Sequence, residues 1–345
     1  MRKELKCILL GHLAVIAFLT YCCLDLLCLI FDRPNAAAFT QADLAADQKF
    51  NLPHNGHRTH KEPLIPKIIH QTYKDENIPE KWRAGQQACI DLHPDYEYIL
   101  WTDASAREFI AREYAWFLYT WDLYPYPIQR ADAIRYFVLA HYGGVYIDLD
   151  DGCTRKLDPL LAAPAFVRET VPTGVLNDVM GSIPAHPFYL KLIKGLQKYK
   201  RNWVVPYITI MFSTGPLFVS VMLVQYKRQV LDDFSQVLVL LSSDYKSNPA
   251  SFFSIAQGSS WHLDDAKFIK SLEKNIGLVV FCGFLLAGIV FTMEWYLYQW
   301  CIHTNFTNLG DRLLYQLNLK SCQRRRTRRD SNLPFAVNLE KVEEA

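Results

Sequence analysis

The fold of this chain is decided by the stretch Gly143-Gly144-Val145-Tyr146-Ile147-Asp148-Leu149-Asp150. The two glycines end a preceding helix, and the three apolar residues after them predict a short buried strand. Charged residues begin where this strand ends. Because open α/β sheets bind ligands beyond the carboxyl ends of their strands, the stretch predicts a functional site at Asp148 and Asp150.

Alternating strands and helices are predicted around this stretch. A helix is predicted from Pro127 to His141, since proline stands at its start, an apolar stripe follows at helical spacing and two glycines stop it. Further strands are predicted over 66–71 and 96–101, and further helices over 84–92 and 104–115. This order predicts an α/β fold whose sheet carries helices on both faces.

Charge is nearly balanced across the 345 residues. There are 37 Lys and Arg against 35 Asp and Glu, which gives a formal net charge of +2. Five arginines lie within residues 324–329, so the rest of the chain is slightly acidic. No strongly basic domain is left to bind nucleic acid, and the sequence therefore argues against that class of function.

Two long apolar runs predict membrane-spanning helices. The first, 7–31, is interpreted as a signal anchor because no cleavage site follows it, and the second, 277–301, contains aromatic residues typical of a membrane interface. A third uncharged run, 203–224, is interrupted by two prolines and a glycine. With only two spans, the basic residues at both chain ends share one side of the membrane. We therefore expect 203–224 to be buried core or a membrane-surface element.

This topology predicts one folded domain in the lumen, tethered to the membrane at both ends. Of the nine cysteines, Cys89 and Cys153 fall in that domain, and the sequence leaves open whether they form a disulfide. The predicted segments are a basic cytosolic N-terminus (1–6), a transmembrane signal anchor (7–31), a stem (32–64), a lumenal domain (65–270), a transmembrane helix (277–301) and a basic cytosolic tail (302–345).

Four residues near the central stretch have chemistry that suits a nucleotide sugar. Asp148 and Asp150 are two apart, and on a strand their side chains would point the same way. Neighbouring carboxylates repel each other, and Mn²⁺ or Mg²⁺ would relieve that repulsion and neutralise a diphosphate leaving group. One helix upstream, Asp132 and Arg135 share a helix face, as a surface ion pair or as a clamp for sugar hydroxyls. Their position so close to the two aspartates favours the clamp.

Several motifs in a fixed order make this chain resemble glycosyltransferase family 32, whose members look like DXD glycosyltransferases of the GT-A fold. Later motifs narrow the resemblance to fungal enzymes that mannosylate inositol phosphorylceramide. The motifs are Pro66-Lys67-Ile68-Ile69-His70-Gln71-Thr72, Trp101-Thr102-Asp103, Arg130-Ala131-Asp132, Arg135-Tyr136, the stretch 143–150, Asn177-Asp178-Val179-Met180-Gly181-Ser182, Ser213-Thr214-Gly215-Pro216 and Gly258-Ser259-Ser260-Trp261-His262.

The resemblance implies an activity and a setting. The activity is transfer of mannose from GDP-mannose to the inositol of inositol phosphorylceramide, with retention of configuration and with Mn²⁺ as cofactor (Mg²⁺ is the alternative ion). The setting is the Golgi membrane, with the ER or vacuolar membrane as alternatives, and a multispanning regulatory subunit is the implied partner.

The resemblance also implies roles for individual residues. Asp150 would hold the metal, Asp148 would contact ribose and the metal, and Asp132 with Arg135 would grip the mannose hydroxyls. Tyr73 stands where related enzymes often carry a Trp that stacks on the nucleobase. The remaining donor-side residues are Arg130, Tyr146, Asn177, Ser260 and Trp261, and His262 is a third potential metal ligand.

Two other functions stay open on the sequence alone. One is a family 32 mannosyltransferase that acts on N-glycans or proteins, against which the paired apolar runs argue. The other is a catalytically silent subunit that binds a nucleotide sugar or scaffolds a complex.

Overall fold

The structure, a computed structural model, describes residues 3–31, 37–44, 62–170, 173–229, 232–245, 251–255 and 275–303. The predicted site residues Ser260, Trp261 and His262 lie outside the described residues, as does the arginine cluster at 324–329. The chain forms two units, Met1–Lys267 and Phe268–Ala345. The first unit contains the sheet, and the described part of the second is one helix.

A six-stranded mixed sheet organises the first unit. The described strands are β1 (Ile68–Thr72), β2 (Glu97–Trp101), β3 (Gly144–Ile147), β4 (Asp151–Cys153), β5 (Ala165–Glu169), β6 (Val175–Ser182), β7 (Leu238–Leu240) and β8 (Phe253–Ile255). The sheet has the order β2-β1-β3-β6-β5-β7, and β4 pairs with β8 separately. Strands β2, β1 and β3 are mutually parallel, whereas β6 runs antiparallel to both β3 and β5.

Helices alternate with the strands in the first half of this unit, which confirms the predicted α/β fold. The helix α7 begins at Pro127 as predicted and ends one residue later than expected, at Tyr142. The described helices are α1 (Lys3–Cys22), α2 (Leu24–Phe31), α3 (Gln41–Leu44), α4 (Glu80–Leu92), α5 (Asp103–Glu113), α6 (Ala115–Asp122), α7 (Pro127–Tyr142), α8 (Pro187–Tyr199), α9 (Pro206–Ser213), α10 (Pro216–Lys227), α11 (Ser242–Tyr245) and α12 (Ile276–His303).

The sheet buries side chains on both of its faces. Successive strand residues point to opposite faces, so Tyr146 of β3 packs into a core formed with α5, α6, α7, α8 and α10. Its neighbours Val145 and Ile147 pack into a second core that includes α4 and the 3₁₀ turn at Asp158–Ala162. The prediction of helices on both faces is confirmed, and β3 is packed between the two cores.

The turn from α7 into β3 requires its two glycines. Gly143 and Gly144 have φ angles of +69° and +92°, and a Cβ on Gly144 would lie 2.7 Å from the backbone oxygen of Ile68. His70 Nε2 donates to the Gly143 carbonyl (2.9 Å), and its Nδ1 accepts from the Trp101 indole (3.1 Å). Burial lowers the pKa of His70 to about 4, so the ring stays neutral in this role. His70 thus holds the turn that leads to the aspartates.

A disulfide joins Cys89 of α4 to Cys153 of β4, which settles the pairing that the sequence leaves open. It ties α4 to the strand that directly follows Asp150. Disulfides form and persist in oxidising compartments such as the secretory lumen.

Two of the apolar runs have different surroundings in the structure. By length and composition, Val280–Trp300 and Pro206–Lys227 could each cross a membrane. Val280–Trp300 lies within α12 and has none of its length buried, whereas 67% of Pro206–Lys227 is buried. Gly215 separates α9 from α10, and Phe218 and Met222 of α10 belong to the sheet core. Most of 203–224 is therefore buried core, one of the two expected alternatives, while Trp203 and Val204 at its start are exposed.

The N-terminal apolar run forms two helices. Ile8–Cys22 is an apolar helical segment, while α2 packs against α10. Asp25 of α2 lies 2.8 Å from the guanidinium of Arg228 and accepts from Gln225 (2.5 Å). Farther along, Phe39 is buried in the second core. The end of the predicted anchor and part of the predicted stem therefore pack onto the first unit.

Candidate active site

The two aspartates of the central stretch lie in a turn. β3 ends at Ile147, and the Asp151 N–H donates to the Asp148 carbonyl (3.0 Å), which closes the turn. The prediction that Asp148 and Asp150 share one face of a strand is wrong, because the chain reverses here to begin β4. Both aspartates nevertheless line the same cleft.

Arg135 on α7 is the centre of the site. Its side chain is 3% exposed, and its guanidinium lies 3.1 Å from Asp132 and 3.2 Å from Asp148. It also donates to the Asn177 carbonyl (2.6 Å) and lies over the ring of Tyr146 (4.6 Å). The surface ion-pair interpretation is wrong, since these charges are buried. A desolvated guanidinium that bridges two carboxylates fixes their relative position.

Asp132 is held on both oxygens by neutral groups as well. Its Oδ1 accepts from the Asn177 amide (3.0 Å), and its Oδ2 accepts from the Thr214 hydroxyl (3.0 Å). The Tyr136 hydroxyl accepts from the same amide (2.9 Å) and donates to the Thr214 carbonyl. Burial raises the pKa of Asp132 to about 6, although the charge of Arg135 lowers it. At neutral pH Asp132 is thus an ionised and precisely oriented acceptor.

Asp148 and Asp150 differ in how their charge is compensated. Asp148 accepts from the Tyr146 hydroxyl (2.7 Å) and pairs with Arg135. Burial, and then the charge of Asp148, raise the pKa of Asp150 to about 6. The site therefore has an excess of negative charge at Asp150.

A second ion-pair group lies beside this turn. Arg168 of β5 is buried, pairs with Asp178 of β6 and lies 3.3 Å from Asp151. Burial is the main reason that the pKa values of Asp151 and Asp178 are raised. The Asp178 carbonyl accepts from the Asp148 N–H (2.8 Å), so this group supports the turn from the sheet side.

The chemistry at the turn fits a hard divalent cation. Carboxylate oxygens are the ligands that Mn²⁺ and Mg²⁺ prefer, and the uncompensated charge at Asp150 favours a cation there. Among the described residues, no three His, Cys, Asp or Glu side chains are grouped to hold a metal ion. A cation held by Asp148 and Asp150 would therefore take its other ligands from substrate oxygens, water or residues outside the described ranges.

The cleft in front of these residues has a volume of about 670 Å³, which is in the range of small-molecule sites. At one end Tyr73 meets Trp82 edge to face, with ring centroids 5.8 Å apart. Trp82 also packs against Leu149 inside the turn. The lining also includes a mostly apolar set, Tyr126, Pro127, Ile128, Ile210 and Pro216.

Of the predicted site residues that the structure describes, all but two line one cleft. Tyr73, Asp132, Arg135, Asp148, Asp150 and Asn177 all line the cleft. Tyr146 lies behind it and orients Asp148, and Arg130 donates to the Tyr124 carbonyl (2.9 Å) without lining the cleft. Sequence reasoning missed Trp82 and assigned no role to Thr214, although Thr214 stands in one of the quoted motifs.

Comparison with known proteins agrees with this geometry. Residues 79–167 match the family described as a glycosyltransferase sugar-binding region containing a DXD motif. The chain is 54% identical to mannosyl phosphorylinositol ceramide synthase SUR1 of Saccharomyces cerevisiae, over 90% of this chain and 78% of that protein. It is 48% identical to mannosyl phosphorylinositol ceramide synthase CSH1 of the same yeast, over 97% and 95%. It is 53% identical to inositol phosphoceramide mannosyltransferase 2 of Schizosaccharomyces pombe, over 66% and 67%.

Proposed function

Because this chain belongs to the mannosyl phosphorylinositol ceramide synthases, a family of DXD glycosyltransferases, we propose that it transfers mannose from GDP-mannose to inositol phosphorylceramide in sphingolipid synthesis. The observation that carries this proposal is the buried group in which Arg135 fixes Asp132 and Asp148 beside Asp150, in a cleft large enough for a nucleotide sugar.

In the proposed complex the nucleobase lies along Tyr73 and the mannose lies against Asp132 and Arg135. Asp132 accepts hydrogen bonds from sugar hydroxyls, and Arg135 keeps this carboxylate in place. Asp148 and Asp150 would hold a divalent cation, which would neutralise the charge of the diphosphate.

The proposed transfer retains the configuration of mannose. An inositol hydroxyl oxygen bonds to the anomeric carbon while the bond from that carbon to the diphosphate oxygen breaks. The hydroxyl proton passes to the leaving diphosphate. Attack from the face on which the diphosphate leaves gives retention without a protein nucleophile. The site need only hold the acceptor hydroxyl next to the anomeric carbon on that face.

In the proposal the predicted domain 65–270 lies in the lumen of the Golgi, with both chain ends cytosolic and the predicted runs 7–31 and 277–301 as membrane anchors. The disulfide supports an oxidising compartment, and the exposed apolar surface of Val280–Trp300 supports a membrane helix. The multispanning regulatory subunit is included in the proposal on the family resemblance alone.

A microsomal assay tests the proposed function. Microsomes from cells without their own activity, supplied with the full chain, labelled GDP-mannose and inositol phosphorylceramide, are expected to form a mannosylated lipid that is lost on chelation and restored by Mn²⁺. Asp150→Asn should abolish transfer, while Asp95→Asn, an exposed acid paired with Lys67, should leave it intact. Transfer to an N-glycan instead of the lipid would replace the acceptor in the proposal. No transfer to either would favour the silent subunit.

A further inference from the structure

Large apolar side chains are exposed on two segments of the first unit. On α6, Trp116 and Tyr119 are exposed, Tyr119 to 77%, and Leu123 follows directly after the helix. In the loop between α8 and α9, Trp203 is exposed and Val204 is 90% exposed. Apolar clusters of this kind on a protein surface mark contact with a partner or a membrane.

The two segments form one surface, because the end of α8 lies against α6. The side chain of Gln197 donates to the Trp116 carbonyl (3.3 Å). The ammonium of Lys200 lies 5.9 Å from the ring centroid of Tyr124. We call the five exposed side chains the aromatic rim, and they are Trp116, Tyr119, Leu123, Trp203 and Val204.

The loop that carries Trp203 and Val204 is held in a strained conformation. Val204 has a φ angle of +69°, which is rare for a β-branched residue. Its N–H donates to the Asn202 side chain (2.8 Å), and the Trp203 N–H donates to the Thr209 hydroxyl (3.0 Å). The Trp203 ring also packs on Phe212 of α9, at 5.3 Å. The surrounding structure thus holds the two apolar side chains outward at a conformational cost.

Positive charge accompanies the aromatic rim. Lys198, Lys200 and Arg201 directly precede its tip, and no carboxylate of the described residues forms an ion pair with any of them. The nearby acid Asp122 is paired through both oxygens with Arg107 (2.8 Å). Aromatic and aliphatic side chains next to unpaired basic residues match the headgroup region of an anionic bilayer, where rings bury their apolar part and cations meet phosphate.

Both segments of the aromatic rim are connected along the chain to residues that line the cleft. Leu123 lies three residues before Tyr126, which lines the cleft, and the loop at Trp203 leads into α9, whose Ile210 lines it as well. The Gln129 amide donates to the Ser213 hydroxyl (2.7 Å) and joins the two walls. Both segments of the rim therefore lie within a few residues of chain of side chains that line the cleft.

We propose that the aromatic rim docks into the leaflet that contains the acceptor, whose phosphate makes that surface anionic, and holds the mouth of the cleft at the lipid headgroups. The identity of the acceptor rests on the proposed function, whereas the contact with the bilayer rests on the exposed rings, the strained loop and the basic residues.

Contact with lipid is measured directly on the full-length protein in nanodiscs of phosphatidylcholine and phosphatidylinositol. An environment-sensitive fluorophore is attached at Val204→Cys and, as a matched control, at Phe234→Cys, an equally apolar side chain that is 64% exposed elsewhere on the unit. Signal from the native cysteines is subtracted using the unsubstituted protein. Spin-labelled lipids should quench the fluorophore at 204 and leave the one at 234 unquenched.

Kinetics supply the second readout. Trp203→Ser combined with Val204→Asp should lower kcat/KM for inositol phosphorylceramide in vesicles by about tenfold or more, because the buried apolar area is lost. Activity on a short-chain, water-soluble acceptor should be unchanged, as should both activities in Phe234→Asp.

The outcomes separate the two proposals. Absence of quenching at 204, or equal loss on both acceptors, would overturn the docking surface. If the fluorophore at 204 is buried in native membranes but not in nanodiscs, the proposal is also overturned, because a partner protein would then cover the rim. If the unsubstituted protein mannosylates neither acceptor, the proposed function fails while quenching still decides the contact.

Discussion

Replacing Asp132 with Asn should make the protein more stable and less active. Burial raises the pKa of this carboxyl from 3.8 to about 6, so the fold favours its protonated form. The stability contributed by that preference is fully present below pH 3.8 and is lost as the pH rises through 6. Two pKa units correspond to about 3 kcal/mol at pH 7.5. Asn mimics the protonated form at every pH and avoids this loss.

The geometry allows the substitution. The Asn oxygen can accept from Arg135 and Asn177 as the carboxylate does, and its amide can donate to the Thr214 hydroxyl in place of the present bond. Transfer should nevertheless fall roughly 100-fold or more, because the sugar loses a charged acceptor that is fixed in place.

Thermal unfolding of the detergent-solubilised protein without added Mn²⁺ measures the effect. For a domain of this size the variant should melt roughly 5–10 °C higher at pH 7.5, and the difference should shrink below pH 6. Asp95→Asn is the control. The hydrogen bond from Lys67 lowers the pKa of Asp95, so this variant should be slightly less stable at pH 7.5. If Asp132→Asn melts lower than the native protein at pH 7.5, the ion pair with Arg135 outweighs burial and the reasoning is refuted.

Three further substitutions test the framework around the site. Arg135→Met should cost about 3–5 kcal/mol in unfolding free energy, since it leaves two carboxylates without their counter-charge. Combining it with Asp132→Asn should recover part of that loss in denaturant titrations. Strictly additive effects of the two substitutions would contradict the coupling. Cys89→Ala with Cys153→Ala should cost about 4 kcal/mol, because the disulfide spans 64 residues of chain; an unchanged Tm would show that the disulfide does not stabilise the fold. Gly144→Ala should cost at least about 2 kcal/mol in unfolding free energy, because Gly144 has a φ of +92° and the new Cβ would lie 2.7 Å from a backbone oxygen. As a control, Gly283→Ala should melt like the native protein, because the space around Gly283 is open. Equal melting temperatures of the two variants would rule out strain at Gly144.

Local sequence patterns predicted α7 and β3, because helix ends and buried strands depend on residues that are close together in the sequence. Proline at the start of α7 and two glycines at its end defined the helix to within one residue. The apolar residues 145–147 predicted β3, and the charges after them placed the site at its carboxyl end. The same pattern did not show that the chain turns at Asp148, since the reversal depends on pairing between β4 and β8, which are about 100 residues apart.

The contacts that orient the site were not predictable from local pattern. Thr214 is 82 residues from Asp132 in the sequence, and Asn177 is 45 residues from it, yet both donate to its carboxylate. Trp82 is a helix residue with no periodic signal, and only the packing of α4 brings it to Tyr73 and Leu149. Such contacts form when the sheet brings distant elements together, and a single sequence carries no record of that assembly.

Asp25 shows how the structure refines the predicted membrane anchor. An acid in an apolar run is costly inside a bilayer, but here Asp25 pairs with Arg228 and accepts from Gln225, at the end of α10. The helix α2 therefore packs into the fold, and Thr173, two residues before β6, donates to the Leu29 carbonyl (2.6 Å). The apolar part of α1, Ile8–Cys22, is shorter than the two helices that could each cross a membrane by length and composition. Because Leu24–Phe31 packs against α10, the part of the predicted run 7–31 that is left for a bilayer is the part that precedes Leu24.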